Sequence, residues 1–117
     1  MSECRNNERY PEIGRVICPE LCALPGILDN ISLAGCKMHF PISMVVNLDN
    51  EYMIKISLSR SPEDPPLQCM CKPMWVKECA NSTQIGLQIL YSPDHARLHE
   101  FITYLKNLEE KDMPDII

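Results

Sequence analysis

The stretch Ser92-Pro-Asp-His-Ala-Arg-Leu-His-Glu-Phe-Ile-Thr-Tyr-Leu-Lys-Asn-Leu108 decides which class of fold this chain can adopt. Ser92 suits a helix N-cap, and Pro93 suits the first helical position because its missing N–H needs no partner there. Apolar side chains then recur at helical spacing, at Leu98, Phe101, Ile102, Leu105 and Leu108. The pattern predicts an amphipathic helix that ends near Asp112 and packs its apolar stripe against another layer of structure.

Two stretches with a period of two indicate what that other layer is. In each, apolar residues alternate with mostly polar ones, as in antiparallel strands with one wet face: Tyr52, Ile54, Ile56 and Leu58 in the first, and Ile85, Leu87, Ile89 and Tyr91 in the second. The helix stripe is therefore expected to lie on a sheet that contains both strands.

Shorter signals extend the sheet towards the N-terminus. Residues 13–18 predict a first short strand, and residues 21–24 fit either one helical turn or part of a strand, with a turn expected at Pro25 and Gly26. Turn-forming residues at 47–50 precede the strand at Tyr52, which predicts a hairpin over residues 42–59.

Prolines interrupt the remaining apolar segments. Pro41 breaks the apolar run 36–46, and Pro73 breaks a strand predicted over 67–76, which is typical of bulges or edge strands. Residues 60–66 are rich in proline and acidic side chains and predict an exposed loop.

These elements together predict an α+β fold. We expect a curved, mostly antiparallel sheet of four to six strands, packed by one C-terminal helix. The layout resembles that of PH-like domains and other small adaptor folds, in the order of elements alone. Residues 1–11 are expected to form a flexible arm, 12–112 one globular domain and 113–117 a tail.

Composition excludes several function classes. The chain of 117 residues carries a net charge of −5, which disfavours general attraction to nucleic acid or anionic lipid. No apolar run approaches the roughly 20 residues that span a bilayer. If Met1 is the native start, the polar N-terminus predicts an intracellular protein, cytoplasmic or nuclear. The sequons at Asn30 and Asn81 would matter only in a secreted chain.

Seven cysteines raise the question of metal binding or thiol chemistry. Buried thiols acting as small apolar side chains are the default interpretation. A zinc-stabilised domain is the alternative, with ligands drawn from Cys36, His39, Cys69, Cys71, Cys79, His95 and His99, although the spacing of these residues is not that of close ligand pairs. The sequence contains no catalytic motif, so a cysteine-dependent enzyme ranks third.

The leading hypothesis is a non-catalytic protein interaction module, an adaptor or subunit of a larger complex with no cofactor. Edge strands near Pro41 and Pro73 would allow a partner to add a strand. Trp75, beside Met74, is interpreted first as a core residue, and the alternative is that Met74 and Trp75 are exposed and contact a partner.

Overall fold

A computed structural model describes residues 10–60 and 62–112 of the chain. It contains six strands and one helix: β1 (Tyr10–Cys18), β2 (Cys22–Ile31), β3 (Gly35–Phe40), β4 (Tyr52–Leu58), β5 (Leu67–Cys79), β6 (Ser82–Tyr91) and α1 (His95–Asp112). All strand pairs are antiparallel, and the order β1-β2-β3-β6-β5-β4 closes into a barrel because β4 also pairs with β1. The predicted α+β class is confirmed, with the sheet curved until its two ends meet.

The barrel interior is filled by the alternating apolar residues. The four predicted positions of β4 are buried, as are Ile85 and Leu87 of β6. Tyr91 is 63% exposed, against the predicted alternation. A register shift between Met70 and Cys71 in the neighbouring β5 interrupts the pairing at that point, so the end of β6 no longer presents alternate residues inwards.

The helix packs at the end of the barrel where β4 stops and β5 begins. Ser92 accepts a hydrogen bond from the backbone N–H of Asp94 and donates one to the carbonyl of Gln68 in β5. The predicted apolar stripe meets the core, with Leu98, Ile102 and Leu105 buried and Phe101 and Leu108 half-buried. The expected packing of this helix on the sheet is confirmed.

The turn predicted at Pro25 and Gly26 is wrong, because both residues lie inside β2. Pairing of β2 with β3 starts only at Ile27, so Pro25 needs no N–H on that side. A Cβ on Gly26 would come within 2.8 Å of the Phe40 ring, so the glycine permits a close approach to β3 instead of a turn.

The hairpin predicted over residues 42–59 is also wrong. Strand β4 pairs with β1 and β5, and residues 41–51 form a connection without strand structure. The buried hydroxyl of Thr83 donates to the carbonyl of Ile42 at 2.9 Å and accepts from the N–H of Met44 at 3.1 Å. These bonds satisfy loop backbone that would otherwise need a strand partner. The predicted turn at residues 47–50 is present, with the N–H of Asn50 donating to Asn47.

The predicted flexible arm of residues 1–11 and tail of residues 113–117 lie largely or wholly outside the described part of the chain. Strand β1 begins at Tyr10, three residues earlier than predicted, and residues 1–9 and 113–117 lie outside the described part. The described residues include no helix long and apolar enough to cross a membrane.

Candidate functional site

The connection between β2 and β3 is a tight turn organised by one buried hydroxyl. The Ser32 oxygen accepts the N–H groups of Ala34 at 3.2 Å and Gly35 at 3.1 Å, and it lies 3.2 Å from the Gly35 carbonyl. The backbone N–H of Ile89 in β6 donates to Ala34 at 2.7 Å. A Cβ on Gly35 would lie 2.3 Å from the Leu87 carbonyl oxygen, so only glycine allows this approach. The turn is therefore held rigidly against β6.

Four residues beside this turn are aligned across the outer surface of the sheet. Asn30 pairs with Lys37, Lys37 pairs with Gly86, and Gly86 pairs with Trp75. The residues flanking Lys37 and Gly86 on their own strands point into the core, so these two positions face outwards. We call Asn30, Lys37, Gly86 and Trp75 the cross-strand row.

The indole of Trp75 rests directly on Gly86. A Cβ on Gly86 would come within 2.2 Å of the Trp75 Nε1 atom, a separation that real structures do not tolerate. The ring is nevertheless 42% exposed. Trp75 therefore has one surface against the sheet and part of its ring open to solvent.

A hydrogen-bonded histidine and aspartate lie beyond Lys37 along β3. The Nδ1 atom of His39 is 3.0 Å from both carboxylate oxygens of Asp29, and each side chain is about one third exposed, at 32% and 29%. The carboxylate fixes the orientation of the imidazole ring, which leaves the second ring nitrogen for other contacts.

The start of β1 lies beside the turn. Tyr10 pairs with Ile31 and Pro11 pairs with Asn30. In the sequence, Arg9 directly precedes Tyr10 and Arg5 lies four residues before Arg9. Two arginines thus precede β1 in the sequence, by one and by five residues.

The predicted partner-binding residues lie in two places. Pro41 is exposed at the start of the 41–51 connection, whereas Pro73 is buried in β5 and followed by exposed Met74 and Trp75. Beyond Cys71, β5 pairs with β6 alone among the strands of the described chain. Strand addition at this edge stays a prediction.

The predicted metal ligands do not converge. Cys36, Cys69 and Cys71 are buried inside the barrel, and Cys79 is half-buried at the end of β5. His39 lies on the outer surface of the barrel, and His95 and His99 are exposed on the helix. Within residues 10–60 and 62–112, no three His, Cys, Asp or Glu side chains are arranged to hold a metal ion. This geometry gives the zinc alternative no support.

The interior thiols are poorly suited to nucleophilic chemistry. Burial raises the pKa of Cys18, Cys69 and Cys71 above the ordinary value. Cys36 and Cys69 act electrostatically on Cys71 in the same direction. The reactive form of cysteine is the thiolate, so a raised pKa and burial disfavour nucleophilic chemistry at these three side chains, which contribute to packing.

A separate cavity of about 310 Å³ lies between the helix and the β4–β5 connection. Its lining mixes two basic, two acidic and four apolar or aromatic side chains: Leu58, Arg60, Asp64, Leu67, Arg97, Glu100, Phe101 and Tyr104. Arg60 lies over the Tyr104 ring at 5.9 Å and Arg97 contacts Asp94. The balance of opposite charges in this lining points to no particular ligand.

The surface around Ser32 and Gly35 was not predicted from the sequence. Asn30-Ile-Ser32 was interpreted there only as a glycosylation sequon, whereas Ser32 organises the turn with Gly35 three residues later. A serine followed at this spacing by glycine, directly after an apolar strand, is a turn signal that was available. The pair Arg5 and Arg9 was a second available signal, of a different kind, because arginine side chains bind phosphate through paired N–H donors.

Comparisons with known proteins agree on the fold. The sequence matches the PilZ domain family over residues 5–106, and no curated protein sequence matches the chain. The inhibitor of motility MotI/DgrA of Bacillus subtilis superposes with a TM-score of 0.78 at 11% identity, over 97% of this chain and 55% of that one. YcgR of Escherichia coli, in complex with c-di-GMP, superposes with a TM-score of 0.67 at 14% identity, over 92% and 48%.

The chain spans about half the length of those two proteins. The PilZ domain of Escherichia coli YcgR with c-di-GMP is covered completely, with a TM-score of 0.67, 13% identity and 96% of this chain. At these identities the structures establish the shared fold alone. Because the family match runs from residue 5 through the barrel and into the helix, the chain belongs to the PilZ domain family.

Proposed function

We propose that this PilZ domain is a non-catalytic receptor for c-di-GMP that relays the presence of this dinucleotide to a protein partner. The ligand surface consists of Arg5 and Arg9 of the arm, Asn30, and the turn of residues 32–35. Two PilZ structures with the same fold contain c-di-GMP. Binding and relay require no bond to be broken, in keeping with the buried thiols, whose raised pKa disfavours nucleophilic chemistry.

The observation that carries this proposal is the pairing of Tyr10 with Ile31. It brings the backbone of the residue after Arg9 next to Ile31, which directly precedes the turn. Guanidinium groups bind phosphate through paired N–H donors and read the O6 and N7 atoms of guanine. A chain with a net charge of −5 needs such a local concentration of arginine to attract a dianionic ligand.

Titration calorimetry of the full chain with c-di-GMP tests the proposal. We expect saturable binding that Arg9→Ala weakens at least tenfold, because a charge-assisted bidentate contact is lost. Cyclic di-AMP and GMP serve as control ligands. Lys55→Ala is the matched charge control, since exposed Lys55 lies on β4, across the barrel from β3.

The outcome that overturns the proposal is specific. If the folded wild-type chain binds c-di-GMP more weakly than about 1 mM, a receptor role is excluded. Equal losses for Arg9→Ala and Lys55→Ala would instead reduce the interaction to general charge attraction.

The partner-binding part of the proposal uses the edge of β5. Among the strands that the structure describes, Lys72 to Cys79 pair on one side only, and exposed Met74 lies within that segment. An unpaired edge presents backbone donors and acceptors that an extended partner segment can use. Met74→Asp should abolish capture of a partner that binds wild type in the presence of c-di-GMP, while ligand affinity stays unchanged. Capture that survives this substitution would refute the edge as the docking site.

A further inference from the structure

Two of the buried cysteines face each other across the turn that joins β1 to β2. Cys18 and Cys22 are cross-strand partners, and their side chains are only 1% and 8% exposed. Side chains directly opposite each other in an antiparallel pair lie on the same side of the sheet. Both thiols therefore point towards the core of the barrel.

The backbone places this pair within the range that a disulfide bond requires. Directly opposite residues of antiparallel strands have Cα atoms about 4.5 or 5.5 Å apart, depending on their hydrogen bonding. Disulfide bonds join residues whose Cα atoms are about 4.4 to 6.8 Å apart. A bond between Cys18 and Cys22 therefore needs rotation of two side chains and no separation of the strands.

The turn between the two cysteines already has a fixed geometry. Leu21 donates its backbone N–H to the carbonyl oxygen of Cys18 at 2.9 Å, which closes a β-turn over residues 18–21. Pro19 occupies the second position of this turn, where its restricted φ angle is favourable. Leu21 is also half-buried against the core. The chain between the thiols therefore has little conformational freedom to lose when they are joined.

This arrangement distinguishes Cys18 and Cys22 from the other thiols. Within residues 10–60 and 62–112, no other cysteine has a cysteine as its cross-strand partner. Cys79 lies at the end of another hairpin, where its partner is Ser82. Cys79 therefore provides a matched control, because a hydroxyl takes the place of the second thiol.

We propose that Cys18 and Cys22 form a reversible dithiol site, which a low-molecular-weight disulfide oxidises to an intramolecular disulfide across the β1–β2 turn. The thiolate of Cys22, the more exposed of the two, attacks one sulfur of the small disulfide, breaks its S–S bond and releases one small thiolate. The Cys18 thiolate then attacks the Cys22 sulfur and releases the second small thiolate. The two cysteine protons pass to these leaving groups, so the protein is oxidised by two electrons and the small disulfide is reduced to two thiols.

The order of these steps follows from burial. Burial raises the pKa of the Cys18 thiol, which disfavours Cys18 as the first nucleophile. The second step is intramolecular, and proximity of the attacking sulfur compensates for a low fraction of thiolate. The site lies at the opposite end of β1 from Tyr10, and the inference does not depend on the proposed binding of c-di-GMP.

Peptide mapping of the full chain after equilibration with oxidised and reduced glutathione tests the site. A glutamate-specific protease cleaves after Glu20, between the two cysteines, and also after Glu12 and Glu51. Peptides 13–20 and 21–51 should stay joined after oxidation and separate after reduction. Peptide 21–51 also contains Cys36, so Cys22→Ala is needed to identify the partner of Cys18, and it should abolish the joined species. Circular dichroism checks that this variant is folded.

The contribution of the fold is measured by comparison with the unfolded chain. The joined fraction at a series of glutathione ratios gives the effective concentration of one thiol at the other. We expect this value to be at least about tenfold higher in buffer than in concentrated urea, because the paired strands hold the two sulfur atoms together. Cys79→Ser should leave the value within about twofold of wild type, because it lies on a different hairpin.

Three results would overturn the proposal. The first is the absence of the joined peptides from folded wild type, including the case in which Cys22 stops at a stable mixed disulfide with glutathione. The second is an effective concentration in buffer no higher than that in urea. The third is a joined species that persists in Cys22→Ala, which would identify Cys36 as the partner of Cys18.

Discussion

Truncation of Leu98 provides a stringent test of how the helix holds the barrel closed. Leu98 is 1% exposed and belongs to the barrel core, although it lies on α1. Leu98→Ala removes three carbon atoms from a buried position. At about 0.8 kcal/mol for each, the lost transfer free energy is about 2.4 kcal/mol.

The cavity left behind adds to this loss. Surrounding side chains relax only partly around a deleted leucine, so the total decrease in the free energy of unfolding should be about 3 to 5 kcal/mol. Domains of this size are stable by about 5 to 15 kcal/mol, so a large part of the total is at stake. The helix propensity of alanine is at least as good as that of leucine and will not add to the loss.

Urea denaturation followed by far-ultraviolet circular dichroism measures this difference. Leu24→Ala is the matched control, because the same atoms are removed from a side chain that is 45% exposed on β2. The control should lose less than about 1 kcal/mol. If the two variants differ by less than about 1 kcal/mol, the helix does not contribute to the core in the way described.

Three other substitutions or conditions test separate features. Ser92→Ala removes the N-cap hydroxyl that also bonds β5, so thermal denaturation should show a loss of about 1 to 2 kcal/mol; an unchanged melting temperature would exclude this role. Gly35→Ala brings a methyl group within 2.3 Å of the Leu87 carbonyl, so the urea midpoint should fall by the equivalent of about 2 to 3 kcal/mol, and a wild-type midpoint would contradict the close approach. Burial raises the pKa of the Cys69 and Cys71 thiols, so these thiols ionise in the unfolded chain first as the pH rises past about 8.5. Their contribution to stability should therefore be complete below that pH and decline above it by up to about 1.4 kcal/mol per pH unit for each thiol. A series of urea midpoints that stays flat to about pH 10 would refute this burial.

Local periodicity predicts those elements that can be recognised without knowing which other elements they contact. The alternation in β4 and the spacing from Leu98 to Leu108 identify a strand and a helix because each pattern is contained within one element. Ser92 was predictable as a capping residue for the same reason, although α1 itself begins only at His95 and the Ser92 hydroxyl accepts the N–H of Asp94 before it. The second bond of this hydroxyl, to Gln68, was not predictable, because it joins residues 24 positions apart.

Pairing between distant strands decided the features that local patterns misassigned. Residues 41–51 contain apolar side chains that favour a strand, but β4 pairs elsewhere and Thr83 satisfies the loop backbone instead. Pro25 and Gly26 are residue types typical of turns. In β2, however, Pro25 lies where β3 is not yet paired, and Gly26 allows the close approach of the Phe40 ring.

The sequence by itself determined the class of fold, the helix with its buried stripe, and the chemical types available for binding. Only the tertiary structure decided that Asn30, Lys37 and Trp75 share one surface, because they lie on three strands that the β2–β3, β3–β6 and β5–β6 pairings bring together. Periodicity shows which side of a strand is buried. Register shows which outward side chains are neighbours, and register depends on packing throughout the barrel.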